Sequence, residues 1–412
     1  MRRVAVTGIG VVSPVGSELQ TFWTRIREGQ SGIGPITKFD ASRIDSRIAG
    51  QVKEFDPDAF VPKKEQRRMD EFSLFGMAAA DMAVADAGLA DDGGDQTRKG
   101  VVVGSGIGGL RTLEIQHSVL LEKGPSRCSP FMIPQMISNM AAGLIAIKHN
   151  FQGPNYSVVS ACASAAHSIG DAMKIIQRGD ADVMLAGGTE ASVTELGVAG
   201  FAAMKALSTR NDDPQHASRP FDRDRDGFVI GEGAGILVLE DLDRAVARGA
   251  RIYCEVAGFG MTCDAYHITA PAETGEGATR AMKMAMNDAG LNPDDISYIN
   301  AHGTSTPLND KIETRAIKGA LGEEAARKVM ISSSKSMTGH LLGAAAGIES
   351  AVCCMALLHG IVPPTINHEN PDPECDLDYV PNVAREAKVS ACLNNSLGFG
   401  GHNACLAFKA YQ

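Results

Sequence analysis

The chain has 412 residues, of which 44% are hydrophobic and 21% are charged, and its formal net charge is -10 at pH 7. This composition is typical of a soluble globular protein with enough sequence for two domain-sized cores, and it excludes a small scaffold held by disulfides. The negative charge argues against nucleic-acid binding, because such a surface needs an excess of Lys and Arg.

The apolar stretches favour a protein outside the membrane. A strand-like run at residues 4–6 follows the first residues at once, so we expect no signal peptide. The most apolar stretch, residues 341–358, carries Glu349 near its middle, and we expect a buried helix because a carboxylate at mid-bilayer is costly. Nine cysteines without CxxC pairs suit a reducing compartment, and we expect a cytoplasmic protein.

Strand-like and helix-like stretches alternate along the first half. The predicted strands cover residues 4–6, 99–103, 157–160 and 182–186. The predicted helices cover residues 74–87, 139–147 and 162–177. Because short Gly-rich connections separate these stretches, we expect an α/β architecture with a mainly parallel sheet covered by helices on both faces.

The pattern begins again in the second half. The run at residues 254–260 ends in Gly-x-Gly, as residues 4–10 do, and two later strand-like runs also follow the order of the first half. Ordered matches of this kind indicate an internal duplication. We therefore predict two halves, residues 1–250 and 251–412, the first carrying the reactive cysteine described below and the second carrying two histidines.

A Gly-rich loop at residues 104–109 formally fits the G-x-G-x-x-G dinucleotide fingerprint after a predicted strand. The fingerprint also needs a second strand that ends in an acidic residue about 20 residues further on. Glu122 lies near that distance, but its surroundings do not resemble a strand. The loop thus has two interpretations: a nucleotide site of a dinucleotide-dependent oxidoreductase, or a tight backbone turn with Ile107 beside a neighbouring pocket.

Cys162 lies where an apolar run turns into the small-residue stretch Ala161-Cys162-Ala163-Ser164. A cysteine at a helix start meets unpaired amides and the positive end of the helix dipole, which favour the thiolate. The same amides can bind a developing oxyanion. An ordinary core cysteine is the alternative.

Two histidines follow predicted strands in the second half. His302 lies in the polar loop after residues 298–300, and His340 lies where a second strand-like run gives way to a helix. Histidines in such loops can transfer protons or donate hydrogen bonds. Each could instead be a structural loop or core residue.

Four motifs taken together resemble the β-ketoacyl-[acyl-carrier-protein] synthases, most closely their synthase II branch, over essentially the whole chain. The motifs are Ser160-Ala161-Cys162-Ala163-Ser164, Asn300-Ala301-His302-Gly303-Thr304-Ser305-Thr306-Pro307, Lys335-Ser336-Met337-Thr338-Gly339-His340 and Asn395-Ser396-Leu397-Gly398-Phe399-Gly400-Gly401. The resemblance implies a thiolase-like fold with two duplicated βαβαβ halves in a five-layered α-β-α-β-α sandwich, and a homodimer.

The resemblance also implies an acyltransferase of fatty acid elongation without a redox or metal cofactor. Cys162 would take an acyl group from the phosphopantetheine of an acyl carrier protein. Malonyl carrier protein would then lose carbon dioxide, and its carbanion would attack the acyl-cysteine to give 3-oxoacyl carrier protein. Alternatives are a ketosynthase subunit of a type II polyketide pathway and a non-catalytic partner subunit of such a pathway, although the latter lacks the nucleophile.

Residue roles follow from the same resemblance. His302 and His340 would donate to the malonyl carbonyl, Lys335 would be the active-site lysine or only the partner of Glu349, and the amides of Cys162 and Phe399 would form an oxyanion hole. Phe399 would be a gate between two glycines, or a plain core contact. The implied substrate-binding residues are Ile107, Phe201, Thr304, Thr306, Gly398 and Gly400.

The resemblance extends to two further sets of residues. A basic set would dock the acidic carrier protein, or is merely a solvated face: Lys63, Lys64, Arg67, Arg68, Arg127 and Lys205. A second set would bind a structural Na⁺ or K⁺, or is simply hydrogen-bonded: Asn300, Glu349, Asn394 and Asn395. Ser334, Leu397 and His402 depart from the residues common in the family, which puts the preferred acyl length in doubt.

Overall fold

A computed structural model describes residues 1–90 and 93–411. The strands are β1 (Val4–Val12), β2 (Ile33–Pro35), β3 (Ile48–Gly50), β4 (Lys99–Gly104), β5 (Asn155–Tyr156), β6 (Val183–Glu190), β7 (Gly233–Asp241), β8 (Cys254–Cys263), β9 (Tyr298–Asn300), β10 (Met330–Ser332), β11 (Ile361–Val362), β12 (Arg385–Glu386), β13 (Ala391–Gly398) and β14 (His402–Lys409). Ten of these strands form one sheet, and β2–β3 and β11–β12 are separate two-stranded pairs.

The helices flank this sheet. They are α1 (Leu19–Arg27), α2 (Lys63–Gln66), α3 (Glu71–Asp86), α4 (Leu110–Lys123), α5 (Met132–Met136), α6 (Met140–His149), α7 (Ser164–Arg178), α8 (Glu195–Ala203), α9 (Leu242–Ala247), α10 (Glu276–Ala289), α11 (Asn309–Leu321), α12 (Glu323–Ala326), α13 (Lys335–Thr338) and α14 (Ala345–His359).

The large sheet contains the same five-stranded unit twice. Its order is β10-β9-β13-β14-β8-β1-β7-β6-β4-β5. In each half the first strand pairs antiparallel with the fifth, the fifth antiparallel with the fourth, and the remaining pairs are parallel. The halves meet through two residue pairs between β1 and β8, Ala5 with Glu255 and Val6 with Cys254. This repeated order confirms the predicted duplication.

The helices form three layers around the two halves of the sheet. The middle layer, α7 and α14, packs against strands of both halves, while α3 and α6 cover the outer face of the first half and α10 and α11 that of the second. The outer helices approach closely: a Cβ added at Gly10 of β1 would lie 1.8 Å from the carbonyl oxygen of Ala79 in α3. The molecule is therefore the predicted α-β-α-β-α sandwich.

Two details of the prediction were wrong. The sheet is mixed rather than mainly parallel, because β7 and β14 return antiparallel as the last strand of each half. Residues 157–160 are not a strand; β5 ends at Tyr156, and an irregular segment leads from there to Cys162.

The most apolar helix lies in the middle layer. The segment Leu342–His359 is long and apolar enough to cross a membrane, with a mean hydropathy of 1.5, but 89% of it is buried inside the fold. Glu349 on this helix is buried as well. The prediction of a core helix at this position is confirmed.

Candidate active site

Cys162 lies in a tight turn that we call the elbow, Ala161–Ala163, immediately before α7. Ala161 has a φ of 50°, in the left-handed region, which costs a non-glycine residue about 1–2 kcal/mol. Three hydrogen bonds hold the turn: Ala163 N–H donates to Ser160 O at 3.0 Å, Ser160 N–H to Ser164 Oγ at 2.9 Å, and Ser164 Oγ to Ala161 O at 2.7 Å. The backbone of the cysteine is thus fixed.

A matching elbow, Leu342–Ala344, precedes α14 in the second half. Its first residue, Leu342, has a φ of 48°. Gly343 stands at the position that corresponds to Cys162, and a Cβ there would lie 2.1 Å from the amide nitrogen of Gly106. The duplication therefore supplies two elbows, and only the first has room for a side chain.

His302 follows β9 and is positioned through its backbone. The amides of His302 and Gly303 each donate to Glu313 of α11, both at 2.8 Å. Glu313 is fully buried, so this carboxylate fixes the loop at the carboxyl end of the strand. Glu313 could not be predicted from the sequence, because nothing in its helical surroundings marks it as the acceptor for a loop that precedes it in the chain.

His340 follows α13 and is held between backbone groups of one neighbouring segment. Its N–H donates to Val229 O at 2.7 Å, and its carbonyl accepts from Gly231 N–H at 2.8 Å. The Phe228 ring packs edge to face against it, with centroids 5.4 Å apart. The rings of His302 and His340 also meet edge to face, at 5.3 Å, so the structure brings the two predicted histidines together.

Both histidines are neutral at ordinary pH. The pKa values of His302 and His340 both lie well below the usual range. Burial is the largest cause, and the positive charge of Lys335 is the second. A neutral imidazole carries one N–H donor and one acceptor nitrogen. Each ring can therefore donate to a carbonyl oxygen or accept a proton.

The thiol of Cys162 is also uncharged. Burial raises its pKa to about 12, although the charge of Lys335 and the Phe399 N–H act in the opposite direction. The backbone amides do lower the pKa of the thiol, as the sequence predicted for a helix start, but burial outweighs their contribution. The thiol must lose its proton when it attacks.

Lys335 and Glu349 form a buried ion pair behind the histidines. Lys335 Nζ donates to Glu349 Oε1, and the two side chains are 2% and 1% exposed. The predicted contact is thus present, and the lysine charge also acts on Cys162 and both histidines.

A cavity of about 370 Å³ is lined by Cys162, His302 and His340, whereas Lys335 and Glu349 do not line it. The predicted site residues that line it are Cys162, Phe201, Lys205, His302, Thr304, Thr306, His340, Gly398 and Phe399. Thr304 and Thr306 are in contact through their hydroxyls, 3.0 Å apart. Residues predicted from distant parts of the sequence therefore share one enclosed space.

Phe399 lies in the loop between β13 and β14 and is only partly buried. Its ring contacts that of Phe201, with centroids 6.5 Å apart. Gly400 and Gly401 beside it have φ values of 88° and 77°, which favour glycine. The partial burial of Phe399 and the neighbouring glycines favour a mobile ring over a plain core contact.

Ile107 lies outside the cavity. It lines a separate shallow groove together with Leu110, Leu113, Met136 and Ile137, and it is 36% exposed. The amides of the Gly-rich loop point elsewhere as well: Gly106 N–H donates to Glu190 Oε2 at 2.7 Å and Ile107 N–H to Glu190 Oε1 at 3.2 Å. The amides that a dinucleotide phosphate would need are occupied by a carboxylate of the protein.

Glu190 is the second functional residue that sequence analysis missed. It ends β6, is fully buried, and also accepts from Gly343 N–H at 3.0 Å and from Ser105 Oγ at 3.1 Å. It thus links the Gly-rich loop to the elbow of the second half. Its position at the end of a strand was only a weak indication of this role, because its partners Gly106 and Gly343 lie 84 and 153 residues away in the sequence.

The predicted docking residues are all exposed but do not form one cluster around the cavity. Lys205 lies at its mouth and pairs with Asp45 at 2.8 Å. Four of the others lie on α2 or directly after it, and Arg127 lies shortly before α5. Lys63 pairs with Asp58, and the Arg68 guanidinium lies 5.1 Å from the centre of the Phe131 ring. Lys64, Arg67 and Arg127 complete the set.

The predicted cation ligands are divided between the two faces of the sheet. Asn300 and Asn394 are register partners on β9 and β13, and Asn394 Nδ2 donates to Ser350 of α14, the helix that carries Glu349. Asn394 Oδ1 and Glu349 Oε2 are buried without hydrogen-bond partners, and such oxygens fit a monovalent cation. Asn395 faces the other way and donates to Glu313 Oε1 at 3.2 Å.

Comparison with known proteins identifies relatives over the full length. Residues 1–245 match the family model for the beta-ketoacyl synthase N-terminal domain, and residues 253–369 match the model for its C-terminal domain. A protein of Synechocystis named 3-oxoacyl-[acyl-carrier-protein] synthase 2 is 58% identical over 411 residues, covering 100% of this chain and 99% of the relative. A Staphylococcus aureus protein of the same name is 52% identical with the same coverage.

Comparison with solved structures leads to the same family. A ketosynthase bound to the hexaketide, in complex with its type II PKS acyl-carrier protein, has a TM-score of 0.93 and 37% identity, with full coverage of both chains. A beta-ketoacyl synthase from Burkholderia phymatum has the same TM-score and coverage at 35% identity. Because the two family models together match most of the chain and full-length relatives are 52–58% identical to it, the chain belongs to the β-ketoacyl synthase family.

Proposed function

We propose that the chain is an elongating 3-oxoacyl-[acyl-carrier-protein] synthase of fatty acid synthesis. It condenses an acyl group held on Cys162 with malonyl carrier protein and releases 3-oxoacyl carrier protein, carbon dioxide and free carrier protein. The observation that carries this proposal is the single cavity that joins Cys162 with two neutral histidines. The names of the 52–58% identical relatives support it.

Acyl transfer is the first step. The Cys162 sulfur attacks the thioester carbonyl of the carrier-bound acyl group, its proton passes to a histidine nitrogen, and the pantetheine sulfur leaves as a thiol after taking up a proton. The Cys162 and Phe399 amides donate to the oxygen of the tetrahedral intermediate. Storage of the acyl group on the enzyme separates one difficult condensation into two easier steps.

Decarboxylation and condensation follow in the same cavity. The bond between the malonyl carboxylate and its α-carbon breaks, carbon dioxide leaves, and the electron pair forms an enolate whose oxygen accepts hydrogen bonds from His302 and His340. The α-carbon then attacks the acyl-cysteine carbonyl, and the Cys162 sulfur is expelled and reprotonated. Lys335 supports this step, because its charge helps to keep both histidines neutral. No redox or metal cofactor takes part.

The other residues have supporting roles in this proposal. Phe399 swings when Cys162 is acylated, and Gly398 and Gly400 permit the motion. Thr304 and Thr306 hold the phosphopantetheine arm, while Phe201 forms a wall for the acyl chain. Ile107 would reach that chain only where a second subunit covers its groove.

The carrier protein docks by charge. The predicted basic set offers cations to an acidic partner, and Lys205 at the cavity mouth lies where the pantetheine arm must enter. We expect Lys205→Glu and Arg67→Glu to raise the KM for carrier-bound substrates at low salt and to leave the alkylation of Cys162 unchanged. An unchanged KM in both variants would place the docking surface elsewhere.

A homodimer is part of the proposal. Strand β5 terminates the large sheet, and both of its residues are exposed. Exposed apolar side chains accompany it on the segment after β5 and on or beside α4 and α5: Ile115, Phe131, Ile133, Ile137 and Val159. Such a patch suits an interface between two copies. Light scattering of the protein and of an Ile133→Asp variant tests this, and a monomeric native chain would contradict it.

The proposed location is the cytoplasm. The proposal also includes a structural Na⁺ or K⁺ beside Asn300, Glu349 and Asn394. A ketosynthase of a type II polyketide pathway is the second candidate, because structures of that kind share the fold at 37% identity. The higher identity to the 3-oxoacyl carrier protein synthases favours fatty acid elongation.

Steady-state assays across a ladder of acyl carrier proteins, short to long and including unsaturated chains, test the function. We expect carbon dioxide release and extension by two carbons with the native chain, no extension with Cys162→Ala, and native rates with Cys128→Ala, which removes a partly exposed thiol outside the cavity. Undiminished condensation by the Cys162→Ala variant would overturn the assignment.

A further inference from the structure

Ser164 lies at the first position of α7, two residues after the nucleophile, and has no exposed surface. Its hydroxyl both accepts and donates: it accepts from Ser160 N–H at 2.9 Å and donates to Ala161 O at 2.7 Å. The second of these bonds reaches the peptide unit that joins Ala161 to Cys162. The carbonyl of that unit and the N–H of Cys162 belong to one rigid plane.

Because the peptide is planar and trans, its carbonyl and its N–H point in opposite directions. The Ser164 hydroxyl and the Ser164 backbone N–H both donate to the Ala161 carbonyl and hold it toward the start of α7, so the Cys162 N–H is turned to the other side of the elbow. That side faces the turn between β13 and β14, residues 398–401, which we call the gate loop: a Cβ added at Gly398 would lie 3.4 Å from the Cys162 nitrogen. The Phe399 N–H, which hydrogen-bonds to the Cys162 sulfur, belongs to the same loop.

The second elbow of the molecule shows that the turn itself can form without a hydroxyl. Leu342–Ala344 has the same turn, with a φ of 48° at Leu342, but Ala345 stands at the position that corresponds to Ser164. The strained turn therefore forms without a hydroxyl at that position. The hydroxyl is present in the elbow that carries the thiol.

We propose that Ser164 is a positioning residue that aims the Cys162 N–H at the acyl carbonyl by fixing the peptide plane between Ala161 and Cys162. The inference rests on the proposed function, since it concerns the oxyanion of acyl transfer. Without the hydroxyl, the Ser164 N–H alone holds the Ala161 carbonyl and the Ser160 N–H loses its acceptor, so one of the two donors of the oxyanion hole is less firmly preorganised. The Phe399 N–H remains.

The test compares Ser164→Ala with Ser168→Ala. Ser168 lies on the same helix with the same complete burial, and its hydroxyl donates to Ser164 O at 2.8 Å, but it makes no contact with the elbow. Loss of an oxyanion donor costs about 10²- to 10³-fold in rate, so mere loss of its orientation should slow acylation of Cys162 by about 10- to 100-fold. The Ser168 variant should stay within about threefold of the native rate.

Two further readouts distinguish positioning from loosening of the fold. Alkylation of Cys162 by iodoacetamide displaces iodide without forming an oxyanion, so we expect Ser164→Ala to alkylate within about threefold of the native rate while acylation falls. The KM for acyl carrier protein should change little, because buried Ser164 is not among the residues that line the cavity, so the loss should appear in kcat. Ser164→Thr, which keeps the hydroxyl, should recover part of the acylation rate.

Equal losses of acylation and alkylation in Ser164→Ala, or a loss no larger than that of Ser168→Ala, would overturn the inference while leaving the proposed function intact. A native chain that takes up no acyl group from any carrier would overturn the proposed function and this inference with it. Melting temperatures of both variants identify a misfolded preparation, and in that case the Ser164→Thr rate relative to the native rate decides.

Discussion

The Oε2 atom of Glu190 lies 2.7 Å from the amide nitrogen of Gly106. The same carboxylate accepts from the amides of Ile107 and Gly343, so it occupies the concave side of a loop that would otherwise resemble an anion-binding turn. This contact replaces an external phosphate by an internal carboxylate. It also links the first half of the chain to the elbow of the second.

Replacing this carboxylate should destabilise the protein. In Glu190→Gln an NH₂ group takes the place of one acceptor oxygen and faces backbone N–H groups, and each buried donor left unpaired costs about 1–3 kcal/mol. We expect a clearly lower melting temperature. Glu122→Gln, an exposed change on α4, is the matched control and should leave the melting temperature unchanged. Similar melting temperatures for the two variants would contradict this account.

Dinucleotides should not bind at the Gly-rich loop. Thermal-shift titration with NAD(H) and NADP(H) should give no saturable rise in melting temperature, because the loop amides already donate to Glu190. A saturable response that disappears in Glu122→Gln would instead support the oxidoreductase interpretation.

A side chain at Gly398 should separate the gate loop from the elbow. In Gly398→Ala the new methyl group would lie 2.7 Å from Ser160 O and 3.4 Å from Cys162 N, and such overpacking costs about 1–3 kcal/mol. We expect loss of acyl transfer with a lower melting temperature. Gly143→Ala is the control: no atom outside its own helix lies within 4 Å of the new Cβ, so that variant should be about 0.5–1 kcal/mol more stable and fully active.

Alkylation of Cys162 should rise steeply with pH. Because burial raises the pKa of the thiol to about 12, the thiolate fraction grows about tenfold per pH unit throughout the range from about pH 7 to 9.5. Iodoacetamide labelling followed by peptide mass spectrometry measures the rate at this cysteine. N-acetylcysteine, with a thiol pKa of about 8.5, should level off within the range. A plateau for Cys162 below about pH 9 would show a more acidic thiol.

The ion pair of Lys335 and Glu349 should be indispensable. Lys335→Met leaves a buried carboxylate without its partner, which costs about 3–5 kcal/mol. Burial already raises the pKa of Glu349, and loss of the lysine charge raises that pKa further. A raised folded pKa means that stability is lost as the pH rises above the unfolded value, so the deficit should be larger at about pH 8 than at about pH 5.5.

The control for this pair is Lys328→Met, which removes an exposed partner of Glu324. It should not change the denaturation midpoint measurably, because exposed ion pairs contribute little. A Lys335→Met deficit that does not vary with pH would contradict the assigned charge state of Glu349.

Local sequence patterns predicted two features of the fold. The abrupt change from apolar to small residues marked the turn at Cys162 before α7, and the repeated Gly-x-Gly strand ends revealed the duplication. The antiparallel strand β14 was missed because it returns from β13 through a tight turn with no helix between them, and β7 was missed because a long connection separates it from α8. Both strands break the regular alternation on which the prediction rested. Glu190 and Glu313 were missed because their partners are brought together only by tertiary folding.

Gly343 limits how many acyl groups one chain can carry. The place where a second thiol would stand in the duplicated elbow is filled by the Gly106 amide, 2.1 Å from the position of any Cβ, and by Glu190 Oε2 at 2.7 Å. In the proposed mechanism, with Cys162 as the acyl carrier, the stoichiometry of loading is therefore one acyl group per chain. In a rapid-mixing experiment the amplitude of the initial burst then counts the active molecules in a preparation directly.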